Sequence, residues 1–223
     1  MKFFLDTANL EEIRQAVDWG LCDGVTTNPT LVAREGREYK AQILEIARLV
    51  GGPISVETTS DDAEEMVRQG VEFAGWAPNV VVKVPMTPQG LQACRQLRGR
   101  GIAVNVTLTF SANQALLACK AGATFVSPFV GRLDDIGHDG MQVVRDAVQM
   151  VRNYGFSTQV LAASLRHPLH VTAAALAGAH IATMPFKVLE QLFKHALTDV
   201  GQARFLADAA KLRAQVEKPK ARV

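Results

Sequence analysis

Cysteine is scarce and unpatterned in this chain, with only Cys22, Cys94 and Cys119 spread over 223 residues. An odd number at wide spacing, with no CxxC pair, excludes a disulfide framework and a zinc-ribbon pattern, and reads as reduced thiols of a cytoplasmic protein. No apolar run approaches the length needed to cross a bilayer, and Met1-Lys2-Phe3-Phe4-Leu5-Asp6 reaches a carboxylate too early for a secretory signal. The expectation is therefore no membrane partner. Charge of one sign is also missing: a formal net charge of +2 argues against a nucleic-acid partner or an anionic membrane surface. No Gly-rich dinucleotide fingerprint follows any strand-like segment, which removes the main reason to expect an open doubly wound sheet. No linker or composition break divides the chain, so residues 1–223 are expected to form one domain, with the last ten or so residues a charged tail.

What is present is a regular alternation. Short apolar strands are expected at Lys2 to Leu5, Gly24 to Thr27, Ile54 to Glu57, Val80 to Pro85, Ile102 to Leu108, Thr124 to Ser127, Gln159 to Ala163 and His180 to Thr183. Helical periodicity follows each, as in Tyr39 to Val50, where Ile43, Ile46, Ala47 and Val50 share a stripe. Asn9 or Thr7, Pro29, Ser60, Pro88 and Ser111 mark helix starts. Leu133 to Gly140, rich in Asp and Gly, reads as a loop, and Pro185 to Leu197 and Asp199 to Arg213 as terminal helices. Eight strand-plus-helix units within the length such folds need, about 200 to 250 residues, predict an α/β fold, a (β/α)8 TIM barrel with an extra C-terminal helix.

One strand organises the rest. In Val80-Val81-Val82-Lys83-Val84-Pro85 a single lysine interrupts a run of β-branched residues that suits a strand buried on both faces. Side chains alternate along a strand, so Lys83 shares its face with Val81 and Pro85 and points into the protein. An ammonium taken from water without a partner is expensive and tends to lose its proton, and a neutral amine is a nucleophile. Two readings stand side by side: a Schiff-base lysine, or a structural lysine that is paired to a carboxylate or snorkels to water from the strand end.

The strand ends decide how that lysine is read. In a barrel of this kind the chemistry gathers at the C-terminal rim. There the chain delivers Asp6, Thr26 and Asn28, Glu57, Lys83, Asn105 and Thr107, Ser127 and Arg132, and Ser164 and Arg166. An amine, two carboxylates, hydroxyl and amide groups and two arginines suit Schiff-base carbon–carbon chemistry on a sugar phosphate, the arginines gripping phosphate in a forked geometry. An iminium ion drains electrons without a metal, so no metal and no cofactor is expected. His167 and His170 have a weak metal-like spacing without a third ligand and read as solvated loop histidines. Asn105-Val106-Thr107 matches a glycosylation signal, but a buried strand makes that match false.

Asp6-Thr7-Ala8, Gly24-Val25-Thr26-Thr27-Asn28-Pro29, Val82-Lys83-Val84-Pro85-Met86-Thr87, Asn105-Val106-Thr107-Leu108, Ser127-Pro128-Phe129-Val130-Gly131-Arg132-Leu133-Asp134-Asp135 and Ala163-Ser164-Leu165-Arg166 closely resemble the small transaldolases, whose sister group is the fructose 6-phosphate aldolases. The similarity runs from about Lys2 to Leu212. It implies a barrel enzyme of carbohydrate metabolism that moves a dihydroxyacetone unit from a ketose phosphate to an aldose phosphate, and a homo-oligomer, a pentamer or a ring-built decamer. Carried over by motif, Lys83 would form the Schiff base, Asp6 would take the proton of the donor's C4 hydroxyl, and Glu57 with Thr107 would hold the water that shuttles protons. Asn28 and Asn105 would orient the dihydroxyacetone hydroxyls near Thr26 and Ser127, and Arg132, Ser164 and Arg166 would hold phosphate. The aldolase group carries glutamine where this chain has Glu57 and tyrosine where it has Phe129, so both positions match the transaldolase side. Thr58, Leu165, Ala196 and Ala209 depart from the usual motif residues. A rival reading of a different class is a non-catalytic sugar-phosphate binding protein that needs the lysine only for its charge.

Overall fold

The computed structural model describes residues 1–216 and contains a closed barrel of eight parallel strands in sequence order, the last pairing with the first. The strands are β1 (Lys2–Asp6), β2 (Gly24–Thr26), β3 (Ile54–Glu57), β4 (Val80–Pro85), β5 (Val104–Thr109), β6 (Phe125–Pro128), β7 (Gln159–Ala162) and β8 (Ile181–Met184). The helices are α1 (Leu10–Asp18), α2 (Pro29–Arg34), α3 (Tyr39–Leu49), α4 (Ala63–Ala74), α5 (Pro88–Gly99), α6 (Ala112–Lys120), α7 (Val130–Asp134), α8 (Gly140–Tyr154), α9 (Pro168–Ala177), α10 (Phe186–Leu192) and α11 (Ala196–Val216). By compactness the chain falls into two units, Met1–Leu189, which holds every strand, and the segment from Glu190 onward. The expected charged tail from Glu217 lies outside the described residues.

Alternation along the strands builds the barrel in layers. Outward-facing Val25, Ile54, Val56, Val82, Val84, Val104, Val106 and Val126 are fully buried, because helices cover them. Inside, Phe4, Val81, Phe125, Leu161, Ala163 and Ile181 form a compact apolar cluster, with the Phe4 and Phe125 rings edge to face at 6.2 Å. Gly24 is required there: a Cβ at that position would lie 2.5 Å from the Phe4 ring, so the missing side chain is the space the phenyl group fills. Two residues further along, the same inward faces turn polar, and Asp6, Thr26, Ser55, Lys83, Asn105, Ser127 and Thr183 stand above the apolar floor.

Helix starts follow local chemistry. The Asn9 side chain caps α1 through the Glu11 and Glu12 N–H groups, and Pro29 and Pro88 occupy first-turn positions. Two expectations change. Asp62, not Ser60, caps α4, its carboxylate accepting from Glu65 N–H at 2.9 Å. The Asp- and Gly-rich stretch read as a loop begins inside the short helix α7, whose first N–H groups are satisfied from outside the helix by the Ala163 and Ser164 carbonyls, each at 3.0 Å. The first terminal helix begins close to where periodicity set it but ends at Leu192, and Ala196 and Leu197 belong to α11, which starts before the expected Asp199. Cys22, Cys94 and Cys119 are free thiols; burial pushes Cys22 up to about 11 and Cys94 up to about 12, which leaves both protonated and unreactive.

Candidate active site

Lys83 is 6% exposed and its Nζ donates to the Thr27 carbonyl at 2.7 Å and meets Glu57 Oε2 at 3.1 Å. Register explains the meeting, because Glu57 and Lys83 are direct partners across β3 and β4 and both face inward. The amine is buried and paired to a carboxylate at once, so the two readings of the strand coexist in the resting site. Lys83 also lines a cavity of about 120 Å³ in the barrel mouth, shared with Asp6, Asn28, Thr107, Phe129 and Arg132 among others. A pairing that serves only structure does not require such an opening.

Around the amine each polar group is fixed by a neighbour. Thr26 Oγ1 donates to Asp6 Oδ1 at 2.8 Å and lies 2.7 Å from Thr183 Oγ1. A hydroxyl has one proton, so Thr183 must donate to Thr26 while Thr26 donates to Asp6. Burial is the largest influence on Asp6 and raises its carboxyl above the usual aspartate value; the Lys83 charge, the Thr26 hydroxyl and the Arg132 guanidinium pull it partway back. Asp6 thus holds a proton more readily than an ordinary aspartate. Asn105 is fully buried, accepting from Ser127 Oγ at 2.7 Å through Oδ1 and donating to Ser55 Oγ at 3.1 Å through Nδ2, which sets its amide orientation. Burial on an inner strand also disposes of the glycosylation match. Asn28 spends its side-chain oxygen on the Leu31 N–H at 2.9 Å, capping α2, and this leaves its amide NH₂ for the cavity it lines.

The rim carries the cations. Arg132 is exposed, with its guanidinium 5.2 Å from the Phe129 ring centroid, and no ion pair holds it among the described residues. Arg166 is tied to Asp135 at 2.6 Å and lies close against the position of the missing Gly131 side chain. Ser164 adopts φ 57°, a left-handed conformation that costs a non-glycine residue roughly 1–2 kcal/mol. That turn lets Leu165 bury completely while Ser164 stays at the cavity and Arg166 on the rim. His170 corrects the sequence reading: it is buried rather than solvated, accepting the Arg166 N–H at Nδ1 (3.3 Å) and donating from Nε2 to Asp134 (2.8 Å). Among the described residues no cluster of three His, Cys, Asp or Glu is placed to hold a metal ion.

Of the residues read from the sequence, Lys83, Asp6, Thr107, Thr26, Asn28, Asn105, Ser127, Phe129, Arg132 and Ser164 line the inner cavity. Glu57 lines an adjoining outer cavity of about 560 Å³ that shares Lys83, Asn28, Phe129 and Arg132 with the inner one. Arg166 lines neither and stands beside Ser164 on the rim. Strict alternation along β5 would put Leu108 on the outer face with Val104 and Val106, yet it lines the outer cavity. Its φ of 59° and the register slip between Val106 and Thr109 form a bulge that re-aims it. Four contributors were missed: Thr183, Ser55, Thr27 and Tyr39. The Tyr39 hydroxyl accepts the Glu57 N–H at 3.2 Å and donates to the Glu57 carbonyl at 3.3 Å. Burial pushes that phenol up to about 12, so it remains a donor near neutral pH.

The fold and the chamber define a class: parallel β/α barrels with a buried amine and a flanking carboxylate at the C-terminal mouth. The chain belongs to the transaldolase/fructose-6-phosphate aldolase family, whose model matches residues 3–222. It is 62% identical over 208 residues to a probable transaldolase of Herpetosiphon aurantiacus, covering 93% of this chain and 94% of that one. A probable transaldolase of Moorella thermoacetica is 61% identical over 213 residues, 96% of this chain and 99% of the relative. One from Aquifex aeolicus is 58% identical over 212 residues, 95% and 98%.

Proposed function

We propose that this protein is a transaldolase that carries a dihydroxyacetone unit from a ketose phosphate, sedoheptulose 7-phosphate or fructose 6-phosphate, to an aldose phosphate, glyceraldehyde 3-phosphate or erythrose 4-phosphate. The carrying observation is Lys83, enclosed in the barrel, facing the cavity in its mouth, with a carboxylate 3.1 Å from its nitrogen. The Lys83 amine adds to the ketose C2 carbonyl. Glu57 and Thr107 hold the water through which protons pass as the carbinolamine loses water to the imine. Asp6 then accepts the C4 hydroxyl proton while the C3–C4 bond breaks, its electrons flow into the iminium, and the aldose phosphate departs. The enamine left on Lys83 attacks the second aldehyde, Asp6 returns the proton, and hydrolysis frees the new ketose. A carboxyl with a raised pKa suits that exchange of one proton in both directions. Asn28 and Asn105 hold the hydroxyls of the three-carbon unit, with Thr26 and Ser127 beside them, and Arg132, Ser164 and Arg166 hold phosphate.

Borohydride reduction in the presence of fructose 6-phosphate, followed by peptide mass analysis, tests the covalent step. It should mark the Lys83 peptide in the native chain and nothing in Lys83→Met, which should also lose transfer entirely. A merely binding protein would be marked in neither. Dependence of product formation from fructose 6-phosphate on added erythrose 4-phosphate separates transfer from an aldolase that releases free dihydroxyacetone. Phe129 supports the former: without a phenol at that position nothing protonates the enamine readily, and it waits for an aldehyde. The paired change Phe129→Tyr with Glu57→Gln should raise free dihydroxyacetone release, and unchanged partitioning would contradict the assignment of those two side chains.

A further inference from the structure

Strands β2 and β3 are joined by alternating rungs, Val25 N–H to the Pro53 carbonyl at 2.9 Å and Thr27 N–H to the Ser55 carbonyl at 3.1 Å. In a parallel ladder the next rung would join the Glu57 N–H to the Thr27 carbonyl. That rung is replaced. The Glu57 N–H goes to the Tyr39 hydroxyl at 3.2 Å, the same hydroxyl donates to the Glu57 carbonyl at 3.3 Å, and the Thr27 carbonyl accepts from Lys83 Nζ at 2.7 Å.

We propose that Tyr39 is a positioning residue for the amine chemistry at Lys83: its phenol stands in for one rung of the sheet, clamps the end of β3 so that the Glu57 carboxylate meets Nζ, and leaves the Thr27 carbonyl to the lysine. The inference rests on the Schiff-base reading of Lys83. A phenol suits the task because one oxygen both accepts and donates. The ring is held at a distance from the chamber by Phe73 and Trp76, with centroids 6.0 Å and 5.9 Å away, so the hydroxyl is presented from a packed aromatic cluster. Glu57 is the last residue of β3 and, on the β2 side, has no other ladder contact to fix it. Without the hydroxyl, a buried N–H seeks an acceptor, and the ladder offers it the Thr27 carbonyl, in competition with Nζ.

Tyr39→Phe keeps the ring in its cluster and removes only the oxygen. Expected is a fall in kcat of about tenfold, KM for the aldose phosphate within about twofold of native, and a displaced pH midpoint for borohydride trapping of fructose 6-phosphate. Val148→Ala, in the buried face of α8 and outside that aromatic cluster, loosens the fold without touching the hydroxyl or its support and should lower Tm while leaving the trapping pH profile in place. The proposal is overturned if Tyr39→Phe keeps native kcat and pH profile, or if both variants lose activity only in proportion to lost folded protein. Lys83→Met separates the two layers of inference. If it remains active, the Schiff-base reading fails and takes this one with it; if it is dead and untrapped while Tyr39→Phe behaves as native, only the role of the phenol falls.

Discussion

Lys83 and Glu57 could be placed from the sequence because a strand turns its residues by half a revolution at each step, so a polar residue in an apolar run has only two directions to point. Asp6, Asn105 and Ser127 follow by the same rule. It fails where the backbone leaves the regular strand: Leu108 and Ser164 have positive φ, and nothing in a leucine or a serine announces that. Thr183 and Tyr39 were missed for another reason. Their partners, Thr26 and Glu57, are 157 and 18 residues away; closure of the barrel brings the first pair together, and the packing of α3 against β3 the second. For Tyr39 a signal existed, since a phenol four residues before Ile43 on a buried helical stripe must satisfy its hydroxyl. Asp6 carries a residue-scale prediction. Its folded carboxyl binds a proton more readily than in the unfolded chain, chiefly because of burial, so native stability falls as pH rises from the unfolded value toward the folded one and stays lowered above it. Asp6→Asn should therefore raise Tm at neutral pH, the gain vanishing in acid where both states are protonated. It should also reduce transfer by at least about a hundredfold.

Elements were legible wherever periodicity and turn residues agreed, and strand and helix order follows the expected alternation throughout. Boundaries moved where a side chain decided them, as when the Asp62 carboxylate reached the α4 N–H groups that Ser60 was expected to cap. The segment around α7 reads as loop because Asp and Gly dominate it; its helical turn is held by carbonyls of the β7–α9 connection instead of by its own propensity. That borrowing couples the two stretches proposed to hold phosphate. Asp134 and Asp135 on and beside α7 bond His170 and Arg166 respectively, so the Arg132 and Arg166 segments are braced as one unit. Asp134→Ala should raise KM for fructose 6-phosphate several-fold, while trapping of unphosphorylated dihydroxyacetone on Lys83 stays at the native rate. Equal losses for both would show that the brace serves the whole chamber. Burial, followed by the neighbouring His167 charge, lowers the His170 pKa. The unfolded chain protonates that histidine first, so its contribution to stability is present above about pH 6.5 and is lost as pH falls toward the folded value.

At the scale of the molecule, closure itself was readable, because eight units with no dinucleotide fingerprint leave few alternatives to a barrel. Every site residue, from Asp6 to Thr183, belongs to the unit Met1–Leu189. A chain ended after Leu192 is therefore expected to retain borohydride trapping at Lys83. The later helix α11 exposes Leu197, Val200, Phe205, Leu206 and Leu212. Such apolar exposure supports assembly of several copies, and light scattering of the native and shortened chains should show a larger particle for the native one.

The phenyl group of Phe4 occupying the place of a Gly24 side chain has a kinetic meaning. With Val81, Phe125, Leu161, Ala163 and Ile181 it makes an apolar floor beneath the chamber in the barrel mouth. On the proposed mechanism, a floor closed in this way means that the departing aldose leaves by the barrel mouth before its successor enters, one guest at a time. Reciprocal-rate lines at different fixed acceptor levels should accordingly run parallel rather than converge.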